Sequence, residues 1–166
     1  MTKIWKKINT SEYKNIAEVR KKLLKKRIIL SHWIIDILDN KKNNIKLEKK
    51  KIKLYRIKVK NLGFKKPTTL KKIYNKIKIK GYELVSLDIA LIARLKYSNQ
   101  KKGEWLRFAT PFNSMIDKDN VPHLPKLGKA LNKLFIETYW SYKGAIFHPK
   151  NEFVVCKNDS KKIKNK

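Results

Sequence analysis

A formal net charge of +30 over 166 residues is the strongest constraint on what this chain can fold into. Like charges at that density repel one another in any compact state. The lysines must therefore stand on the outside of every element, and the core must be assembled from the residues between them. Of the 43 cations, 38 are lysines, and only Arg20, Arg27, Arg56, Arg94 and Arg107 are arginines. Residues 1–60 hold 20 cations and five acids, residues 61–103 hold 11 and two, and residues 104–166 hold 12 and six. The excess declines along the chain without changing sign. An apolar fraction of 42% that includes Trp5, Trp33, Trp105 and Trp140 is enough to build a core and argues against disorder.

Such a charge raises the local concentration of polyanions and speeds their encounter, and salt screens it. Sequence-specific readout of bases and phosphates leans on the planar arginine fork. Lysine dominance points instead to sequence-independent contact with RNA or DNA. A compositional reading stands beside it. Lysine, asparagine and isoleucine together make up 72 of the 166 residues, and all three have AT-rich codons, so a low-GC genome could fill permissive surface positions with lysine.

The length predicts one domain over residues 1–158, with an N-terminal helical and ribbon lobe (1–60) leading into a central helix and C-terminal sheet (61–158). The basic tail 159–166 is expected to fray. Apolar runs are too short for a transmembrane span, and the N-terminus lacks the apolar stretch of a signal peptide. Cys156 is the sole cysteine, which excludes an intrachain disulfide and a multi-cysteine zinc site. A reducing cytoplasm is the expected setting.

Residues 4–8 read as a strand. Asn15 and Glu18 have capping-box spacing, with Glu18 expected to reach the cap amide, and Ile16, Val19, Leu23 and Leu24 follow with helical spacing. Ser31 caps a second helix carrying Trp33, Ile34, Ile37 and Leu38, so the two helices loosely resemble a helix-turn-helix. From residue 45 to 59 lysine alternates with apolar residues, but the phase slips between Leu54 and Tyr55, which predicts a β-bulge there. Lysines on such a ribbon also guard against edge-to-edge aggregation. Pro67, Thr68 and Thr69 lead into a helix with Leu70, Ile73, Tyr74 and Ile77 on one face, ended by Gly81. A further helical turn starts at Ser86 or Asp88, and Glu104 to Phe108 reads as a strand. Asp117-Lys118-Asp119-Asn120 reads as a polar loop, followed by Pro122 and Pro125, and residues 134–140 and 152–156 read as strands.

The segment Leu62-Gly63-Phe64, Thr69, Ile73-Tyr74, Gly81, Glu83-Leu84, Arg94-Leu95, Tyr97 and Gln100-Lys101-Lys102-Gly103-Glu104-Trp105-Leu106 resembles a family of small bacterial proteins with no assigned activity. Trp5, the segment from Trp33 to Leu38 and the strand around Phe153-Val154-Val155 fit the same layout. The resemblance is dense from Leu62 to Pro111. Family members are far less basic, carry glycine where this chain has Asn120, and differ from Ser86 to Leu91. It implies that the charge is not a family trait, and it carries over no catalytic residue or cofactor.

Enzymatic chemistry finds few candidates. His32, His123 and His148 form no close-spaced metal pair. Cys156 in a strand reads as a buried apolar thiol, although a Cys156/His148 dyad stays open to folding. Asp117, Asp119 and Asn120 lack the glycine and distal glutamate of a calcium loop. Glu83, Asp88 and Glu104 could supply an acid/base pair only if folding joins them. There is no phosphate-binding glycine loop and no dinucleotide fingerprint. The residues thus call for no catalytic group, metal or cofactor.

The sequence therefore predicts an α+β fold: N-terminal helices with a lysine-faced β-ribbon, a central helical segment and an antiparallel C-terminal sheet. The function it points to is sequence-tolerant nucleic-acid binding through Lys21, Lys22, Lys25, Lys26 and Arg27 of the first helix and Lys65, Lys66, Lys71 and Lys72 of the central entry. The alternative is a protein-interaction or structural module whose aromatic C-terminal sheet makes the contact.

Overall fold

The computed structural model describes residues 2–157, so the tail expected to fray lies outside the described residues. In chain order the elements are β1 (Ile4–Asn9), α1 (Ile16–Lys25), β2 (Ile29–Leu30), α2 (His32–Asp39), β3 (Lys51–Lys58), β4 (Thr68–Thr69), α3 (Leu70–Ile79), α4 (Leu87–Leu95), β5 (Trp105–Phe108), β6 (His123–Ala130), β7 (Lys133–Trp140), β8 (Ile146–Phe147) and β9 (Glu152–Lys157). The fold is α+β. Seven strands form one sheet in the order β1-β3-β9-β5-β6-β7-β2, and β4 pairs with β8 in a separate two-stranded ribbon.

The expected antiparallel C-terminal sheet is in fact mixed and continuous with the N-terminal ribbon. Strand β9 lies antiparallel to β3 and parallel to β5, and β2 runs parallel to β7. Successive residues of β9 feed two cores. Val154 and Cys156 join Val19, Leu23, Ile34, Ile37 and all of the apolar face of α4 on one side. Phe153 and Val155 join Leu70, Ile73, Tyr74 and Ile77 of α3 on the other. Helices α1, α2 and α4 thus cover one face and α3 the opposite one. Each fully buried aliphatic or aromatic side chain contributes roughly 1.5–3 kcal/mol, so both layers are firmly held. No helix among the described residues is long and apolar enough to cross a membrane.

Local signals mostly act as the sequence predicts. Asn15 accepts from the Glu18 amide at 2.9 Å, but Glu18 reaches back to the amide of Lys14 at 2.6 Å rather than to the cap itself. Ser31 caps α2 through the Ile34 amide, and Gly81 takes the left-handed conformation after α3. The helix-turn-helix likeness fails. Strand β2 separates α1 from α2 and is paired to β7, while α2 buries Ile34 and Ile37.

The phase slip in the ribbon has a different cause from the predicted bulge. Residues 53–58 of β3 pair with β9 without interruption. Ile52 and Leu54 point into the core beneath α1 and α4, whereas Tyr55 and Ile57 point into the core beneath α3. The strand changes which of its faces is buried, not its register. The irregularity lies in the neighbour, β1, between Ile4 and Lys6, directly opposite Tyr55 and Leu54.

Strand β6 is the element that the sequence reading did not place, passing from the loop at 117–120 and the prolines Pro122 and Pro125 straight to the strand at 134–140. Proline lacks a donor for the ladder, yet Pro125 is paired opposite Thr138; the Thr138 amide donates to its neighbour Glu137 Oε1 at 2.9 Å and does not call on Pro125. The β6–β7 hairpin closes through Leu131 and Asn132, both at positive φ, as a two-residue hairpin turn requires.

Candidate functional site

Helix α3 and the β4–β8 ribbon cover the sheet over β3 and β9, and leave β5, β6 and β7 partly open on that side. Trp105 and Arg107 of β5, Lys126 of β6 and Glu137 and Tyr139 of β7 all stay half-exposed there. Trp105 lies opposite Gly128, and its ring rests on the bare glycine backbone. The Lys126 ammonium sits 4.6 Å from the centre of the Trp105 ring and 5.6 Å from that of Tyr139. The Arg107 guanidinium lies 5.8 Å from the Tyr139 ring centre and 5.9 Å from that of Phe147. Cation–π contacts of this kind hold the two cations in place but satisfy none of their N–H donors.

Neither cation has an ion-pair partner among the described residues. The Arg107 side chain makes no hydrogen bond among them, and its Nε is fully buried. A buried donor without a partner costs about 1–3 kcal/mol. Burial pushes the Arg107 pKa down, with the Tyr139 hydroxyl pulling the other way. Burial also lowers the Lys126 pKa, the nearby Arg107 adds to the effect, and Glu137 opposes it. Glu137 lies across the ladder from Lys126, but its Oε1 accepts the Thr138 amide. Two like charges are thus pressed together, partly stripped of water, with open donors.

Two clefts flank this patch. One, of about 510 Å³, is lined by Arg56, Lys58, Glu104, Trp105, Arg107 and Lys150 among others. The other, of about 350 Å³, includes His32, Trp33, Lys126, Glu137, Tyr139 and Trp140. The floor of the first is neutralised: Arg56 binds Glu152 through Nε at 3.1 Å and Nη2 at 2.7 Å, and Glu104 through Nη2 at 2.6 Å. Burial opposes ionisation of Arg56, but the two carboxylates outweigh it and raise its pKa. The cations left facing this cleft are Lys58, Arg107 and Lys150.

Arg94, Tyr97, Gln100 and Glu104 form one connected support. Arg94 is fully buried and donates to Gln100 Oε1 at 2.5 Å and to the carbonyl of Tyr97. Gln100 donates to the carbonyls of Glu104 at 3.0 Å and Leu127 at 2.9 Å. The Tyr97 hydroxyl donates to Glu104 Oε2 at 2.6 Å. This network fixes residues 97–104 and so presents Glu104 and Trp105 to the cleft.

The lysines predicted from sequence fall in two groups on opposite layers. Lys21, Lys22, Lys25, Lys26 and Arg27 are exposed on or just after α1. Lys22 pairs with Glu18 at 3.0 Å, and Lys26 donates to the carbonyl of Leu95 at 3.2 Å. Lys65, Lys66, Lys71 and Lys72 are exposed at the entry to α3, across the sheet. The two groups do not form one surface.

Other candidates are dispersed. His148 accepts the Lys150 amide at 3.2 Å in the turn before β9. Cys156 is buried toward the far end of that strand, and burial pushes its thiol up to about 11. No contact joins the two. Asp117 turns inward to hydrogen-bond His123 Nε2 at 2.9 Å, and His123 Nδ1 meets Thr138 Oγ1 at 2.9 Å. These three are buried and fasten the loop before β6 to β7. No group of three or more His, Cys, Asp or Glu among the described residues is placed to hold a metal ion.

Sequence reasoning missed Arg107, Lys126 and Tyr139. The alternation Trp105-Leu106-Arg107-Phe108 did signal an outward-facing pair on β5. Lys126 gave no signal, because its strand was concealed by two prolines. By fold and surface, the chain is an α+β protein whose mixed sheet carries a basic, aromatic open face. Compared with known proteins, it matches no family profile, no curated protein and no solved structure.

Proposed function

We propose that the chain binds single-stranded nucleic acid, without sequence preference, along the open face of β5, β6 and β7. The observation that carries this reading is Arg107, a half-buried guanidinium on the open face with a lysine beside it and a buried Nε that has no hydrogen-bond partner among the described residues. A phosphate between Arg107 and Lys126 accepts from the outer Nη donors of the guanidinium and from the Lys126 Nζ, and offsets their mutual repulsion. Trp105, Tyr139 and the exposed Trp140 flank that point and offer rings on which bases stack, at roughly 1–3 kcal/mol each. Lys58 and Lys150 continue the cationic path, and the overall charge of +30 steers any polyanion toward it. The α1 lysines and those at the entry to α3 lie outside this face and add long-range attraction.

A second reading rests on Trp140, Tyr142 and Ile146, which are 59%, 50% and 56% exposed. Large apolar side chains left in water at one end of β7 and on β8 suit a protein partner.

Fluorescence anisotropy with labelled single-stranded RNA, single-stranded DNA and duplex DNA, from low to above physiological salt, tests the proposal. Single strands are expected to bind more tightly than duplex. Arg107→Met with Lys126→Met should weaken binding about tenfold and flatten the salt slope by about 0.7 per lost phosphate contact. Replacing Lys21, Lys22, Lys25 and Lys26 should change affinity less. Wild-type affinity in the Arg107/Lys126 variant overturns the assignment to this face, and equal loss of all three ligands at physiological salt leaves the protein-partner reading.

A further inference from the structure

Helix α3 and the β4–β8 ribbon form an outer layer that carries charge of one sign. Residues 58–82 hold nine lysines and residues 138–151 hold two, and neither stretch contains an aspartate or a glutamate. Of these lysines only Lys76 is half-buried, and the rest are exposed. The ion pairs Arg20–Asp39, Lys22–Glu18 and Lys96–Glu12 all stand on the opposite layer, with α1, α2 and α4. No carboxylate pairs with a lysine of α3 among the described residues. One layer is partly neutralised and the other is not.

Apolar side chains stand among the uncompensated lysines. The turn before β8 is tied to the start of α3, where the Leu70 amide donates to the Ala145 carbonyl at 2.8 Å and the Lys71 amide to the Lys143 carbonyl at 3.0 Å. Successive strand residues point to opposite faces, so burial of Phe147 in the core beneath α3 turns Ile146 outward. Tyr142 in the adjoining turn is exposed too, and at the far end of α3 Ile79 is 76% exposed. The ten residues of α3 separate these two ends by about 15 Å. Neither cleft beside the open face is lined by Ile79, Tyr142 or Ile146.

Apolar tips with no recess between them, set in unpaired lysine, fit a partner that is anionic and fluid rather than one of fixed shape. Tyrosine favours the headgroup level of a bilayer, and lysines near its surface are drawn to anionic lipid. Isoleucine offers a nucleic-acid base no ring to stack on. We propose that this outer layer docks on the surface of an anionic lipid bilayer. Helix α3 lies along the surface, Ile79, Tyr142 and Ile146 enter the boundary between headgroups and acyl chains, and the lysines meet lipid phosphates. The protein-partner reading shares Tyr142 and Ile146 with this surface, and Ile79 with the acid-free lysines is what favours lipid.

Co-sedimentation of the full chain with vesicles of phosphatidylcholine, alone and with added phosphatidylglycerol, tests this at physiological salt, where screening suppresses contact by charge alone. Binding is expected only to the vesicles that contain phosphatidylglycerol. Ile79→Ser, Tyr142→Ser and Ile146→Ser together alter only exposed side chains, and should weaken that binding about tenfold. Leu24→Ser, at a 58% exposed leucine among the α1 lysines, should leave it unchanged. Arg107→Met with Lys126→Met should leave it unchanged as well, which separates this result from that of the nucleic-acid proposal. No binding to the phosphatidylglycerol vesicles, wild-type binding by the triple variant, or an equal loss from Leu24→Ser or from the Arg107/Lys126 variant overturns the proposal.

Discussion

Trp105 lies flat on Gly128, its partner across the β5–β6 ladder, so closely that a Cβ on residue 128 would stand 2.2 Å from the indole Cζ3. The glycine is what lets the ring lie on the strand, and the ring in turn is the floor on which Lys126 rests.

Gly128→Ala should therefore displace the indole rather than merely stiffen the backbone. Overpacking of this kind costs about 1–3 kcal/mol. Urea unfolding should show that loss, and near-UV circular dichroism should report a changed tryptophan environment in the folded variant. A variant with wild-type stability and spectrum would mean that the ring has no tight contact with the strand.

The hairpin turn holds a correctable strain. Leu131 adopts φ +48° with an 83% exposed side chain, in a position that favours asparagine or glycine. Leu131→Asn should raise stability by about 1 kcal/mol, the penalty of a left-handed L-residue. The thermal midpoint is the readout, and a fall would show that the leucine makes a stabilising contact in solution.

Arg94 carries a buried charge with no ion pair among the described residues, and burial lowers its pKa to about 10, against a weaker pull upward from Tyr97 and Glu104. Its fork instead collects the side chain of Gln100 and the carbonyls of Tyr97, Gly128 and Phe135. Lysine cannot reproduce that fan of donors. Arg94→Lys should destabilise the fold by about 3 kcal/mol and loosen residues 97–104 in hydrogen exchange. Exchange rates left unchanged there would sever Arg94 from the support of the cleft.

The bond between Asp117 and His123 sets an acid limit. Burial raises the Asp117 pKa, but the hydrogen bond to His123 and the amides of Val121 and Asp119 outweigh it, so the net shift is downward. A carboxylate lowered on folding stabilises fully above its unfolded value of about 3.9 and loses that contribution as pH falls through the folded value. Asp117→Asn should be less stable than wild type at neutral pH, and the two stability curves should converge as pH falls through the lowered folded value. Curves that stay parallel throughout the acid range would remove Asp117 from the acid transition.

The positions of the helices were legible because capping residues and apolar spacing are local. Asn15, Ser31 and Thr69 start helices where their side chains predict. Ile73, Tyr74 and Ile77 are buried as their spacing requires. Strand β6 was concealed, because proline normally excludes a central strand and only the pairing partner shows that Pro125 is harmless there. The slip at Leu54 and Tyr55 was visible as a pattern and opaque as a cause. A change of burial from one sheet face to the other looks the same in one dimension as an inserted residue.

The sequence by itself determined the class of fold, the helices and the abundance of positive charge, since each follows from composition or from neighbours a few residues apart. Tertiary structure alone decided where charge matters. Lysines that stand together in the chain, such as Lys21 and Lys22 or Lys71 and Lys72, reach solvent on opposite layers. Arg107 and Lys126, 19 positions apart, meet over shared aromatic rings because β5 and β6 pair. The energy of a charge depends on its burial and its neighbours in space, and neither is a property of the residue's place in the chain.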